Sequence, residues 1–252
     1  MPEVERARAL IERGALGRPI AGADDRDSYV CRPHAPGEIA AALTGCRLTA
    51  AHRRGKAMWI ETDHEPILGL HLGMAGHILI DSERDPGSLV ARRRWDRFVL
   101  EFEDGGSLVL RDKRRLSRAL LDPPIDRLGP DAGEIGRDAF RAGVGRGGAP
   151  IKARIMDQQV IAGIGNLLAD ETLWRAGLDP RRAAGSLSAE ELDRLRRELR
   201  GAIRGAIRHG GVHTGQMIPA RRRGASCPRC GAEMLRATIG GRTTWWCSSE
   251  QT

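Results

Sequence analysis

Apolar positions recur by two different rules along this chain, and the rule changes near its middle. Up to about Arg13, Val4, Ala7, Leu10 and Ile11 fall at helical spacing, and Gly14 and Gly17 end the run. From residue 19 to 80 the pattern turns to strands, with a short helix at 39–43 closing at Gly45. Residues 98–102 and 107–111 alternate around Glu103-Asp104-Gly105-Gly106, which predicts a hairpin. The proline-bearing stretch 121–131 reads as a linker. Beyond it the helical period returns. One helix is predicted over 151–160. Gly163-Ile164-Gly165-Asn166 then makes a tight turn, and the next helix carries Ala169, Leu173 and Ala176 on one face. It stops at Gly177, with Pro180 just beyond. Asn166 suits its N-cap. Ser188 and Glu191 form a capping box that opens a longer helix with Leu192, Leu195, Leu199 and Ile203, closed by Gly210-Gly211. The pattern predicts an α+β protein: an N-terminal helix and β-sandwich over 1–122, a helical domain over 123–223, and a β-hairpin ribbon over 224–252.

Charge and cysteine usage narrow the function. The 252 residues carry 41 Lys+Arg against 33 Asp+Glu, a net +8. The basic residues cluster at Arg92, Arg93 and Arg94, at Lys113, Arg114 and Arg115, and at Arg221, Arg222 and Arg223, which points to a polyanion partner. There is no signal peptide and no apolar run long enough to span a membrane. The expected setting is a reducing cytoplasm, with the tail cysteines as metal ligands. Cys31 and Cys46 have no partner spacing and read as small buried hydrophobes. Cys227 and Cys230 form a CxxC; sixteen residues later come Cys247 and Glu250. That is the spacing of a zinc ribbon with Glu250 in the fourth position, and three readings stay open: Glu250 or a nearby His or water completes the site, the metal is held weakly, or the hairpin folds without metal; zinc is the favoured one.

The helix N-terminus after the glycine turn offers free N–H groups to a phosphate, and Lys152 and Asn166 are expected to converge there on one nucleic-acid strand. A bare helix–turn–helix is most often ordinary packing. Here the whole stretch 151–180, with GIGN, LLADE and LWRAGLDP, resembles the helix–two-turns–helix motif of the formamidopyrimidine-DNA glycosylase and endonuclease VIII family.

The resemblance continues through the chain in order. Pro2 and Glu3 match the family's N-terminal nucleophile and its acid/base; the family's longer opening reads PEVE here, which means either that three residues are deleted or that the true start lies upstream and Pro2 aligns with the family's later proline, and the first reading is taken. Lys56, in an RRGK string, matches a lysine that contacts phosphate and assists the chemistry. Met74, in HLGMAG, takes the place of the residue that enters the duplex at the gap left by a flipped nucleotide. Arg97 keeps positive charge where one branch has a Lys-His-Asp-His string. Arg114 and Leu116, in DKRRLS, stand where the family has an arginine that meets the orphaned base and a phenylalanine wedge. Arg242, five residues before Cys247, matches the hairpin-tip arginine that holds phosphates and serves the second elimination.

The resemblance therefore implies a monomeric glycosylase and abasic-site lyase of base-excision repair. It would act on double-stranded DNA with oxidised bases or abasic sites, through a proline imine and β,δ-elimination, with one structural zinc. The short segment 212–220 and Leu116 lean away from a standard 8-oxoguanine enzyme. A non-catalytic damaged-DNA-binding relative is the alternative. A ribosomal or topoisomerase-type protein with a related helix–turn motif is a third, which the Met74 and Arg114 strings disfavour.

Overall fold

The computed structural model describes residues 2–81 and 94–252, and these separate into two units. One comprises Val4–Ile125; the other comprises Asp126–Thr252 together with Pro2 and Glu3. Arg92 and Arg93 lie outside the described residues.

The first unit is a β-sandwich. Helix α1 (Pro2–Gly14) buries Val4, Ala7 and Ile11, the face that its spacing predicted. β1 (Ile20–Asp24) and α2 (Glu38–Leu43) follow, then β2 (Leu48–Arg54), β3 (Ala57–Thr62), β4 (Leu68–His71) and β5 (His77–Ile80). β6 (Asp96–Phe102), β7 (Ser107–Arg111) and β8 (Arg118–Leu121) complete it. Two four-stranded antiparallel sheets result, in orders β1-β6-β7-β5 and β2-β3-β4-β8. Their inner faces share one core. Phe98, Leu100 and Phe102 reach it at period two from one sheet, and Met58, Ile60, Leu68 and Leu70 from the other. Cys31 and Cys46 are buried in that core as small apolar groups.

The second unit is helical and ends in a hairpin. It contains α3 (Arg137–Val144), α4 (Ile151–Met156), α5 (Asn166–Ala176) and α6 (Ala189–His209), then β9 (Met234–Ile239) paired with β10 (Arg242–Cys247). Helix α3 was not anticipated, because only Phe140 and Val144 mark its buried face. α4 is shorter than the predicted 151–160. The Gln158 amide replaces the next turn of helix: Nε2 donates to the carbonyls of Met156 (2.7 Å) and Ile164 (3.0 Å), and Oε1 accepts from Gly163 N (2.9 Å). Gly163 at φ 111 supplies the backbone angle that this double turn needs.

The N-cap of α5 is Gly165, so Asn166 is the first helical residue rather than the cap. Gly177 at φ 65 ends α5 as predicted. The Ser188–Glu191 capping box forms in both directions, at 3.2 and 2.8 Å, and Leu192, Leu195, Leu199 and Ile203 of α6 are buried.

Candidate nucleic-acid interface and metal centre

Three loops of the sandwich present the residues that the sequence singled out there. The β2–β3 turn consists of Gly55, at φ 64, and Lys56, which is half-buried. His71 ends β4, and its Nδ1 accepts the N–H of Gly73 at 3.0 Å. Burial, and then the Lys56 charge, hold the His71 imidazole below its ordinary value, so it is neutral near pH 7. Gly73 turns at φ 60, and a Cβ there would meet the Leu116 carbonyl oxygen at 2.5 Å. The turn that carries Met74 therefore packs directly on the loop that carries Leu116. Both side chains face solvent, Met74 at 77 % exposure and Leu116 at 37 %. An exposed Met beside an exposed Leu has no packing rationale, and the pair suits insertion between bases.

The third loop, 112–117, owes its shape to Asp112, whose side chain is fully buried. Oδ1 accepts Arg114 N at 2.8 Å, and Oδ2 accepts Leu116 N at 2.7 Å and Ser117 N at 2.8 Å. Burial pushes this carboxyl up, but the three N–H donors outweigh it and hold it below the ordinary aspartate range. Arg97 braces the same loop: its Nε donates to the Asp112 carbonyl at 2.7 Å, and Nη1 lies 3.5 Å from Asp27. Arg97 is thus engaged by protein partners, whereas Arg114 is exposed.

In the helical unit, Lys152 corrects the sequence reading. It has no exposed surface and so touches no phosphate. Its Nζ pairs with Asp170 Oδ1 at 2.6 Å and donates to Thr244 Oγ1 at 2.7 Å. Arg221 Nε meets the other oxygen of Asp170 at 2.9 Å. Asn166 Nδ2 donates to the Thr243 carbonyl at 3.0 Å, and Arg221 and Lys152 reach the same oxygen at 3.3 and 3.4 Å. Lys152 and Asn166 do converge, but on the hairpin backbone. Gly240 and Gly241, at φ 56 and 71, make its two-residue turn, and Arg242 stands exposed beside it. Asp170 and Arg221 were missed as a pair; the only signal was an acidic residue within an otherwise apolar helix face. At the start of α1, Pro2 is buried and Glu3 is exposed, with Glu3 Oε1 accepting Val212 N at 3.3 Å.

The tail brings Cys227, Cys230 and Cys247 together, with their sulfurs all within 4.8 Å of one another. Cys230 and Cys247 are 3.5 Å apart. Tetrahedral zinc at about 2.3 Å would space its sulfurs by about 3.8 Å, so the donor set fits a zinc ion. The thiol of Cys227 is held at about 7: burial pushes it up, and the Trp174 indole N–H with backbone N–H groups of Arg229 and Cys230 outweigh that. Backbone N–H groups of Ser249 and Glu250 point at the Cys247 sulfur, both at 3.4 Å. Glu250 is not part of the cluster. Its carboxylate pairs with Arg229 Nη1 at 2.9 Å, which corrects its assignment as fourth ligand.

Residues 1–119 match the formamidopyrimidine-DNA glycosylase N-terminal domain, and residues 128–217 match the H2TH domain of the same proteins. A formamidopyrimidine-DNA glycosylase of Laribacter hongkongensis is 34 % identical, over 100 % of this chain and 98 % of its own. One from Paracoccus denitrificans is 33 % identical over 98 % and 97 %. The chain belongs to the formamidopyrimidine-DNA glycosylase family. Among solved structures of the family, Lactococcus lactis Fpg in complex with abasic-site DNA superposes with a TM-score of 0.84 at 25 % identity, covering 100 % of this chain and 99 % of that one. The same protein with FAPY-dG-containing DNA gives equal figures.

Proposed function

We propose that this chain is a base-excision-repair DNA glycosylase with an abasic-site lyase step, a monomer acting in a reducing cytoplasm on duplex DNA that carries oxidised bases or abasic sites. The relationship to formamidopyrimidine-DNA glycosylases over the whole length carries this reading. Catalysis is assigned to residues 1–122, the grip on the duplex to 123–223, and the hairpin to 224–252. Extruding a base costs a few kcal/mol, and Met74, Arg114 and Leu116 fill the gap it leaves. Lys56, Asn166 and Arg242 hold the backbone through charge-assisted or amide contacts.

The Pro2 amine, freed by removal of the preceding methionine, attacks the sugar C1′. An α-amino group titrates far closer to neutrality than a lysine, so more of it is unprotonated at pH 7. The new C–N bond forms as the glycosidic bond breaks, and the base leaves with a proton that Glu3 helps to deliver. Opening of the sugar ring gives an iminium that acidifies the C2′ proton. Loss of that proton expels the 3′ phosphate, and a second elimination, served by Arg242, expels the 5′ phosphate. Cys227, Cys230 and Cys247 are inferred to hold one structural zinc, which would tie the base of the hairpin together when bound.

Borohydride trapping tests the reading. Duplexes with an abasic site, 8-oxoguanine or an oxidised pyrimidine should give a covalent adduct that Pro2→Gly abolishes while duplex binding persists. An adduct retained in Pro2→Gly would move the nucleophile elsewhere, and no adduct on any duplex would favour a non-catalytic binder.

A further inference from the structure

Tyr29 is 48 % exposed on the sandwich unit, and three guanidinium groups gather around its ring. Arg32, Arg118 and Arg115 lie 4.0, 5.1 and 5.6 Å from the ring centroid. The segment is held firmly from beneath. Val30 is fully buried, its carbonyl accepts Ala119 N at 3.2 Å, and its N–H donates to Asp27 Oδ1 at 3.2 Å. Arg115 is neutralised by Asp27 at 2.6 Å. Arg32 and Arg118 are not: their hydrogen bonds go to the carbonyls of Tyr29 and Ser117, and among the described residues neither has a carboxylate within ion-pair distance. Two uncompensated cations around one ring repel each other unless an anion comes between them. The guanidinium fork is shaped for phosphate, and stacking on an aromatic face holds it at little entropic cost.

The patch is also continuous with the loops read above as entering DNA. Arg115 immediately precedes Leu116, and the Leu116 backbone packs against the turn that carries Met74. We propose that Tyr29, Arg32 and Arg118 form a second phosphate-gripping surface for the duplex, flanking the 112–117 loop and separate from the groups that perform the chemistry. This rests on the proposed function only in taking duplex DNA as the partner.

The test is fluorescence anisotropy with an uncleavable abasic-analogue duplex between about 50 and 200 mM salt. Each phosphate contact contributes about 0.9 to the slope of log K against log salt. Arg32→Gln/Arg118→Gln should therefore lower the slope by about 1.8 and weaken binding at least about tenfold at 150 mM salt. Tyr29→Ala should weaken binding a few-fold, and Tyr29→Phe should bind as the parent does. The single-turnover cleavage rate at saturating enzyme should stay within about twofold of the parent, since only binding is affected. Arg13→Gln/Arg47→Gln, on exposed positions of the sandwich outside the loops read as entering DNA, removes equal charge and should leave the slope unchanged. An unchanged slope in the Arg32/Arg118 variant, or an equal fall in the Arg13/Arg47 variant, would overturn the proposal. Because the duplex is uncleavable, the slope is readable even in a protein that traps no imine. Failure of trapping would then count against the proposed function alone.

Discussion

Asp112→Asn is the substitution with the clearest expected consequence. It keeps volume and shape and removes only the charge and one acceptor. In the native loop, Oδ1 takes one backbone N–H and Oδ2 takes two. An asparagine can turn its oxygen to Leu116 and Ser117, but its NH₂ then faces the Arg114 N–H, and both are donors. One charge-assisted bond is lost, and the other two become neutral ones. The total cost is about 2–5 kcal/mol, from about 1.5–3 for the lost bond and a few tenths to one for each of the two weakened ones. Urea denaturation of the full chain reads that loss.

The same loop presents Arg114 and Leu116, so affinity for an abasic-analogue duplex should fall at least about tenfold, or about 1.4 kcal/mol. The effect has a definite pH window. The folded carboxyl of Asp112 lies below its ordinary value, so its contribution is complete above the unfolded value and disappears as pH falls through the folded one. Wild type and Asp112→Asn should converge in strong acid and differ fully at pH 7. Stability within about 0.5 kcal/mol of wild type at pH 7, with unchanged duplex affinity, would refute the role given to the carboxylate.

Two further outcomes are expected. Lys152→Met leaves Asp170 buried with one cation fewer and should cost about 3–5 kcal/mol in denaturation; a loss below about 1 kcal/mol would mean that water reaches the pair. The purified protein should carry about one zinc per chain by elemental analysis, and Glu250→Cys, which removes the Arg229 pairing and adds a fourth thiolate, should slow zinc transfer to a chelator at least about tenfold; equal release rates would mean that position 250 does not reach the metal.

The parts of the fold that the sequence made legible are those where one local rule decides. The face of α1, the 103–106 hairpin, the stop at Gly177 and the Ser188 capping box each follow from a few adjacent residues, and each formed. The misreadings have a common cause in long-range side-chain bonds. α4 ends early because Gln158 satisfies backbone groups across the turn, and no periodicity encodes that. α3 leaves no periodic signature in the sequence, because its two buried apolar residues, Phe140 and Val144, do not make a period.

Residue type announced the chemistry at this site but not its geometry. A basic or amide side chain beside a glycine turn fits two roles equally well, a contact to phosphate or a contact to the protein's own backbone. Burial separates them. Lys152, with no exposed surface, can act on DNA only through what it positions. What it positions is definite: Thr243 and Thr244 at the start of β10, next to Arg242. Asp170 joins Lys152, Arg221 and the backbone of Trp245, so buried polar contacts tie the helix after the glycine turn to the hairpin. From its buried side, the glycine-turn motif therefore fixes the backbone beside the exposed arginine of the hairpin. Breaking the Lys152–Asp170 pair should loosen Arg242 without touching any DNA-facing atom, a coupling that no reading of residue types alone would have located.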